Sequence, residues 1–200
     1  MGIAERKMRQ KEVVRVAILE AAWHIVLREG WQSLSIRKIA DSIEYSIPVI
    51  YTHFENKDAI VLEFIKQGFD MLAKQLQEAK AQHQSPQEQL KAIADIYWEF
   101  AFSHQAYYEV MFGLGIPSCE TVNQVAAMRA VTGILISAVE QTIAAGKNPT
   151  VNTHLKFHTF WSILHGFVSI QMLSHEEQPG MDKKIILDDA VESFIKGITA

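Results

Sequence analysis

The chain has 200 residues, 48% of them hydrophobic, with 10 glycines, 5 prolines and a formal net charge of −4. That length allows one or two small domains with proper cores, and the sparse glycine and proline exclude long disordered linkers. The longest apolar runs fall short of the roughly 18 residues a membrane span needs. No apolar run follows the basic N-terminus as in a secretory signal, and a single cysteine, Cys119, excludes an internal disulfide framework, which suits the cytoplasm.

The net charge hides an asymmetry. Residues 1–57 hold nine Lys and Arg against seven Asp and Glu, whereas residues 58–200 hold ten against sixteen. Arg6, Lys7, Arg9, Lys11 and Arg15 face only Glu5 and Glu12 in the first fifteen positions. Positive charge is thus gathered at the N-terminal end, where phosphates would be met.

A helical period runs from Lys11 to Arg28, with Val14, Ala17, Ile18, Ala21, Ile25 and Leu27 near one face and Gly30 as its C-terminal cap. Ser35 is placed to cap a second helix whose buried stripe is Ile36, Ile39, Ala40 and Ile43. Glu44-Tyr45 is the turn. Ser46 is placed to cap a third helix, with Pro48 early inside it, where a missing N–H costs nothing. Asn56 caps a fourth helix, from Lys57 to Gln82. Two short helices joined by a three- to four-residue turn form a helix-turn-helix, which sets its second helix in the DNA major groove.

Ser85-Pro86 marks the next break. Helices are expected over Pro86–His104, Gln105–Phe112, Glu120–Ala145, Val151–His175 and Lys184–Ile198. The loops are Gly113–Ser118, Gly146–Pro149 and Gln178–Gly180. No segment alternates with period two. The reading is an all-α chain of about nine helices: a helix-turn-helix head over residues 1–57 and a helical bundle over residues 58–200.

Leu34-Ser35-Ile36-Arg37-Lys38-Ile39-Ala40, then Ser46-Ile47-Pro48-Val49-Ile50-Tyr51-Thr52-His53-Phe54, then Asn56-Lys57-Asp58-Ala59, resemble in order and spacing the TetR family of bacterial transcriptional regulators. Ser35, Tyr51, His53 and Lys57 are the expected phosphate clamps, which position without specifying sequence. Arg37, Ile47, Pro48, Val49 and Thr52 are the expected base readers, with Ser46 beside them. Arg37 suits a bidentate contact to guanine. Ile47 and Val49 touch only methyl groups, so thymines are expected opposite them. Ile39, Ala40, Ile43, Ile50 and Phe54 belong to the head's core. Glu44 departs from the family, which usually has glycine in this turn, and a positive φ there would be strained.

The resemblance extends to the body. Tyr108-Glu109-Val110-Met111-Phe112-Gly113 and Trp161-Ser162-Ile163-Leu164-His165-Gly166 are similar to segments of the family's WHG branch. It implies a repressor whose bundle binds a small apolar or aromatic effector and which, as a homodimer without a cofactor, is released by that effector from a palindromic double-stranded operator. Pocket walls are expected from Trp98, Phe102, Tyr108, Met111, Phe112, Met128 and Trp161, with Glu99 and His165 as polar anchors. The dimer stripe is expected from Leu155, Ile163, Phe167 and Ile170 with Leu187, Val191, Phe194 and Ile198.

Two other readings stay open. One is a helix-turn-helix activator or an effector-free DNA-binding factor. The other is an all-α metal-dependent enzyme using His154, His158 and His165. No carboxylate or cysteine stands beside these histidines at ligand spacing. No nucleophile elbow or glycine-rich phosphate loop occurs. No metal site is therefore expected.

Overall fold

The computed structural model describes residues 2–113, 126–147, 150–173 and 183–200. Cys119, the expected start of a helix at Glu120, Asn148-Pro149, Gln178–Gly180 and most of the expected loop after Gly113 lie outside the described residues. Nine α-helices are described: α1 (Ile3–Glu29), α2 (Ile36–Ser42), α3 (Ile47–Tyr51), α4 (Lys57–Ala81), α5 (Pro86–Ser103), α6 (Gln105–Met111), α7 (Ala126–Ala144), α8 (Thr153–Leu173) and α9 (Lys183–Thr199). A 3-10 turn over Trp31–Ser33 is the other regular element, and the described residues contain no strand.

The helix ends follow local chemistry. Glu5 accepts the backbone N–H of Gly2 at 2.9 Å, starting α1 eight residues before the apolar period begins. Gly30 ends α1 with φ 78° and sends its N–H to the Val26 carbonyl. Ser35 accepts from Lys38 N–H, Asn56 from Ala59 N–H at 2.8 Å and Ser85 from Glu88 N–H.

The chain divides into two compact units. The first takes Met1–Gly68 and the described part of Ala106–Asn123, so α6 belongs with the head. Its core holds Val14, Ile18, Ala21, Ala22, Ile25, Val26, Leu34, Ile39, Ala40, Ile50 and Phe54, all buried. Ile43 is half-buried. Leu27, expected on the buried face, is 60% exposed. The inward face is carried instead by Ala22 and Val26. Trp23, Trp31, Phe64 and Tyr107 form an aromatic group, with Trp23 and Tyr107 ring centres 4.3 Å apart. The Trp31 indole N–H donates to the Ala106 carbonyl at 2.7 Å. Gly68 lets α4 approach α6, since a Cβ there would stand 2.5 Å from Met111 Sδ.

The second unit takes Phe69–Gln105 and the described residues from Ala126 on. Leu90, Ile93, Tyr97, Phe100, Leu135, Val139, Phe160, Leu164 and Val168 fill its core. Thr142, the buried polar residue of this core, donates its hydroxyl toward the Ala138 and Pro86 carbonyls. Lys184 bridges Asp95 and Asp188 at 2.5 and 2.9 Å, fastening α9 to α5. The expected dimer stripe needs correction here. Leu187, Val191, Phe194 and Ile198 are buried within one chain, and Phe194 stacks on Phe160 at 5.2 Å. A helical apolar period looks the same whether it meets its own bundle or a second copy.

Candidate nucleic-acid interface

The surface around α2 and α3 is built by short helices whose buried faces leave the opposite face to solvent. Ile39, Ala40 and Ile50 anchor it from below. Among the expected readers, Arg37, Ile47, Pro48 and Thr52 are exposed and Val49 is half-buried. Thr52 donates its hydroxyl to the Val49 carbonyl at 2.7 Å. With that hydroxyl turned to the backbone, the exposed Thr52 offers its methyl group to a partner, and Ile47 at the start of α3 is itself 41% exposed. Ser46 starts α3, but its side chain makes no capping bond, contrary to expectation. Pro48 early in α3 leaves fewer N–H groups to satisfy.

The turn between the helices keeps the sharp left-handed geometry despite its residue. Glu44 has φ 58°, the one positive φ outside glycine among the described residues. Tyr45 N–H returns to the Ala40 carbonyl at 3.0 Å, closing the turn.

The expected clamps divide into two kinds. Ser35, half-buried, and Tyr51 and Lys57, exposed, sit at helix ends of this surface. Ser35 Oγ accepts the Lys38 N–H and keeps its own proton to donate. The sequence pattern suggests that Tyr51 and His53 lie two apart on the same short helix, but His53 does not. α3 ends at Tyr51, and His53 stands in the following turn. Its Nδ1 is enclosed without a hydrogen-bond partner. Burial first, then the charges of Lys11 and Arg15, hold this imidazole below the usual histidine value, against an opposing pull from Glu12.

Arg15 escapes sequence reasoning as a structural piece. Its guanidinium lies 4.4 Å from the Phe54 ring centre and pairs with Glu63 at 3.0 Å. It thus ties α1 to the end of the reading segment and to α4. Lys38 similarly meets Glu29 at 2.6 Å, and holds that carboxyl below its usual range.

The expected pocket residues fall in both units. Tyr108, Met111 and Phe112 are in the first, where Tyr108 and Met111 are buried core. Trp98, Glu99, Phe102, Met128, Trp161 and His165 are in the second. There Trp98 packs on Phe102 at 4.3 Å and on Phe167 at 5.4 Å. Glu99 is exposed, so it faces solvent rather than an interior, and Phe102 is 41% exposed. His165 is held by Tyr97, whose hydroxyl lies 3.2 Å from Nδ1, while Trp161 stacks over the imidazole. Burial pushes His165 below its usual pKa. Sequence reasoning missed Tyr97 as a partner, since an aromatic on a buried helix face reads as ordinary core. His154 and His158 are exposed, with ring centres 4.6 Å apart, and His165 is half-buried against Tyr97. Among the described residues no three His, Cys, Asp or Glu side chains cluster as a metal site would require.

No described helix is long and apolar enough to cross a membrane. Residues 18–70 match the family of bacterial regulatory proteins called tetR, and residues 90–194 match the tetracyclin repressor-like C-terminal domain. Over 183 residues the chain is 25% identical to the HTH-type transcriptional activator FasR of Mycolicibacterium smegmatis, covering 91% of this chain and 80% of that protein. A Rhodococcus sp. RHA1 protein of unknown function shares the fold with a TM-score of 0.77 at 21% identity, covering 93% and 95% of the two chains. The fatty acid degradation regulator FadR of Bacillus halodurans shares it with a TM-score of 0.71 at 13% identity, covering 90% and 94%. With a reading helix set on a folded head and both halves matched, this chain belongs to the TetR family and is a DNA-binding transcriptional regulator.

Proposed function

We propose that the protein is a homodimeric repressor, acting in the bacterial cytoplasm, that holds a palindromic operator and is released by a small apolar or aromatic effector. The observation that carries the effector is the Tyr97–Trp161–His165 group. It sets a polar imidazole and a phenol among aromatic walls inside the second unit, the composition of a ligand site. Trp98, Phe102 and Met128 in the same unit add apolar surface. The FadR neighbour is named for fatty acid degradation, which agrees with an apolar effector.

The dimer face proposed here is revised. Leu155 and Ile170 are each 61% exposed on α8, with Ile163 and Phe167 half-buried beside them. On α9 the exposed apolar residues are Ile185 and Ile186 rather than the four buried ones. Pairing would set two recognition helices about 34–36 Å apart, one helical turn of DNA. An effector that favours another spacing weakens DNA binding, and a hundredfold release needs about 2.7 kcal/mol of coupling. α4, continuous from Lys57 to Ala81, runs from the first unit into the second and is the proposed carrier.

Selection of bound duplexes from a random pool by the full chain tests the operator. A two-fold symmetric sequence is expected, and enrichment of none sinks the reading. Tryptophan fluorescence and DNA release are then followed against fatty-acyl, steroid and aromatic compounds. A compound that quenches without releasing DNA contradicts the repressor scheme. Activation is the second reading, favoured by the name of the FasR relative, and promoter fusions with the selected sequence separate the two.

A further inference from the structure

The ten residues Ala4–Val13 of α1 are all exposed, and Val14 is the first after them to be buried. They form a helical arm about 15 Å long, at 1.5 Å per residue. Arg6, Lys7, Arg9 and Lys11 stand on it, and among the described residues none of the four has an acidic partner within ion-pair distance. Glu5 is occupied with the Gly2 N–H. Arg6–Arg9 and Lys7–Lys11 are like charges at i,i+3 and i,i+4, each pair costing a few tenths of a kcal/mol in a helix standing alone. Such a concentration is stable against something negative.

Where the arm leads is fixed at its root. Arg15, held by Phe54 and Glu63, ties α1 to the segment just after the reading helix. The open groove beside the arm is lined by Arg6, Arg9, Lys11, Arg15 and His53 against Glu5 and Glu12, so five basic or imidazole side chains face two carboxylates. Lys11 and Arg15 both depress the His53 imidazole, against a weaker opposing pull from Glu12, so the positive field prevails beside the turn after α3. The arm's apolar residues argue against a lipid partner. Met8 and Val13 are 74% and 61% exposed, but five positions apart they lie about 140° apart around the helix and make no single apolar face.

We propose that this arm is a second DNA-contacting surface: Arg6, Lys7, Arg9 and Lys11 neutralise backbone phosphates in the duplex flanking the bases that α3 reads. The inference rests on the family's DNA-binding function and not on the repressor reading. The contacts carry no sequence information and lengthen the footprint beyond each half-site.

The test is the salt dependence of binding to a random-sequence duplex of about four helical turns, for the full chain and for Arg6→Ala/Lys7→Ala/Arg9→Ala/Lys11→Ala. Four lost phosphate contacts lower the slope of log K against log salt by about 3–4 for each bound subunit, about 7 for a dimer, and weaken binding at least about tenfold at 50 mM salt. A random duplex needs no operator, so failure here is distinct from failure to find one. If an operator is selected, the variant keeps its order of sequence preference. On a duplex trimmed to the half-sites it should bind as the parent does. An unchanged slope overturns the proposal, as does equal loss on long and trimmed duplexes. So does lost binding to phosphatidylglycerol vesicles with DNA binding and its salt slope unchanged. Should the fourfold variant fail to fold, Lys7→Gln/Lys11→Gln is read the same way, with an expected slope change of about 2 for each bound subunit.

Discussion

Trp31 and Ala106 are 75 positions apart, yet the indole N–H of one donates to the carbonyl oxygen of the other at 2.7 Å. The bond joins the 3-10 turn before α2 to the first turn of α6, inside an aromatic group that also holds Trp23, Phe64 and Tyr107. Trp31→Phe keeps a ring but removes the donor from a buried position. A loss of about 1–3 kcal/mol in urea denaturation is expected. A stability equal to the parent's would show that the ring alone matters.

Glu44 holds a left-handed backbone that costs a side-chain-bearing residue about 1–2 kcal/mol. Glu44→Gly removes that cost and adds some unfolded-state entropy, so a net gain of up to about 1 kcal/mol is expected. Its thermal midpoint should rise while DNA affinity stays level. A lower midpoint would mean that the carboxylate makes a compensating contact.

Two glycines of the second unit should respond in opposite senses to alanine. At Gly146 a Cβ would lie 2.6 Å from Thr199 Cα, a backbone atom that cannot swing aside. Gly146→Ala is expected to cost about 1–3 kcal/mol. At Gly133, inside α7, a Cβ meets nothing within 4 Å, and Gly133→Ala should gain about 0.5–1 kcal/mol. Circular-dichroism melts of both variants check the pair.

Stability should fall on mild acidification. His53 and His165 are both held below the ordinary histidine value in the folded chain, chiefly by burial. The unfolded chain takes up protons there first, near about pH 6.5. Their contribution is therefore complete above about pH 6.5 and declines as pH drops from there toward the folded values. The melting temperature is expected to drop between about pH 7.5 and pH 5.5, and His165→Gln should flatten part of that slope. A profile identical in parent and variant would remove His165 from the account.

The reading face carries its own prediction. Ile47 and the methyl of Thr52 offer no donors to base edges, so thymines are expected opposite them in selected operators. Arg37→Ala should relax preference at one base pair, a discrimination of about 1–3 kcal/mol. Equal weakening of every sequence would make Arg37 a phosphate contact.

The head was legible because its chemistry is local. Ser35 and Asn56 cap what they precede, and Ile39 and Ile50 repeat at helical spacing. The early start of α1 was not legible, because periodicity reports a helix only where it meets a core, and the arm meets none. Thr52's inward hydroxyl and His53's place beyond the helix depend on where α3 ends, which a five-residue helix leaves open to a single turn. The body was legible as helices but not as partners. Phe194 facing Phe160, and Tyr97 facing His165, are pairings between distant segments that an apolar pattern cannot assign.

The inward turn of Leu187, Val191, Phe194 and Ile198 bears on how copies of this chain meet. A subunit that closes its own interior does not wait for a companion before it folds. In the proposed homodimer, association then becomes a matter of abundance: scarce chains would circulate singly, and occupancy of the proposed symmetric site would climb with roughly the square of their number until pairing saturates. The cell's production rate would thus set the sharpness of control, separately from whatever molecule the body senses.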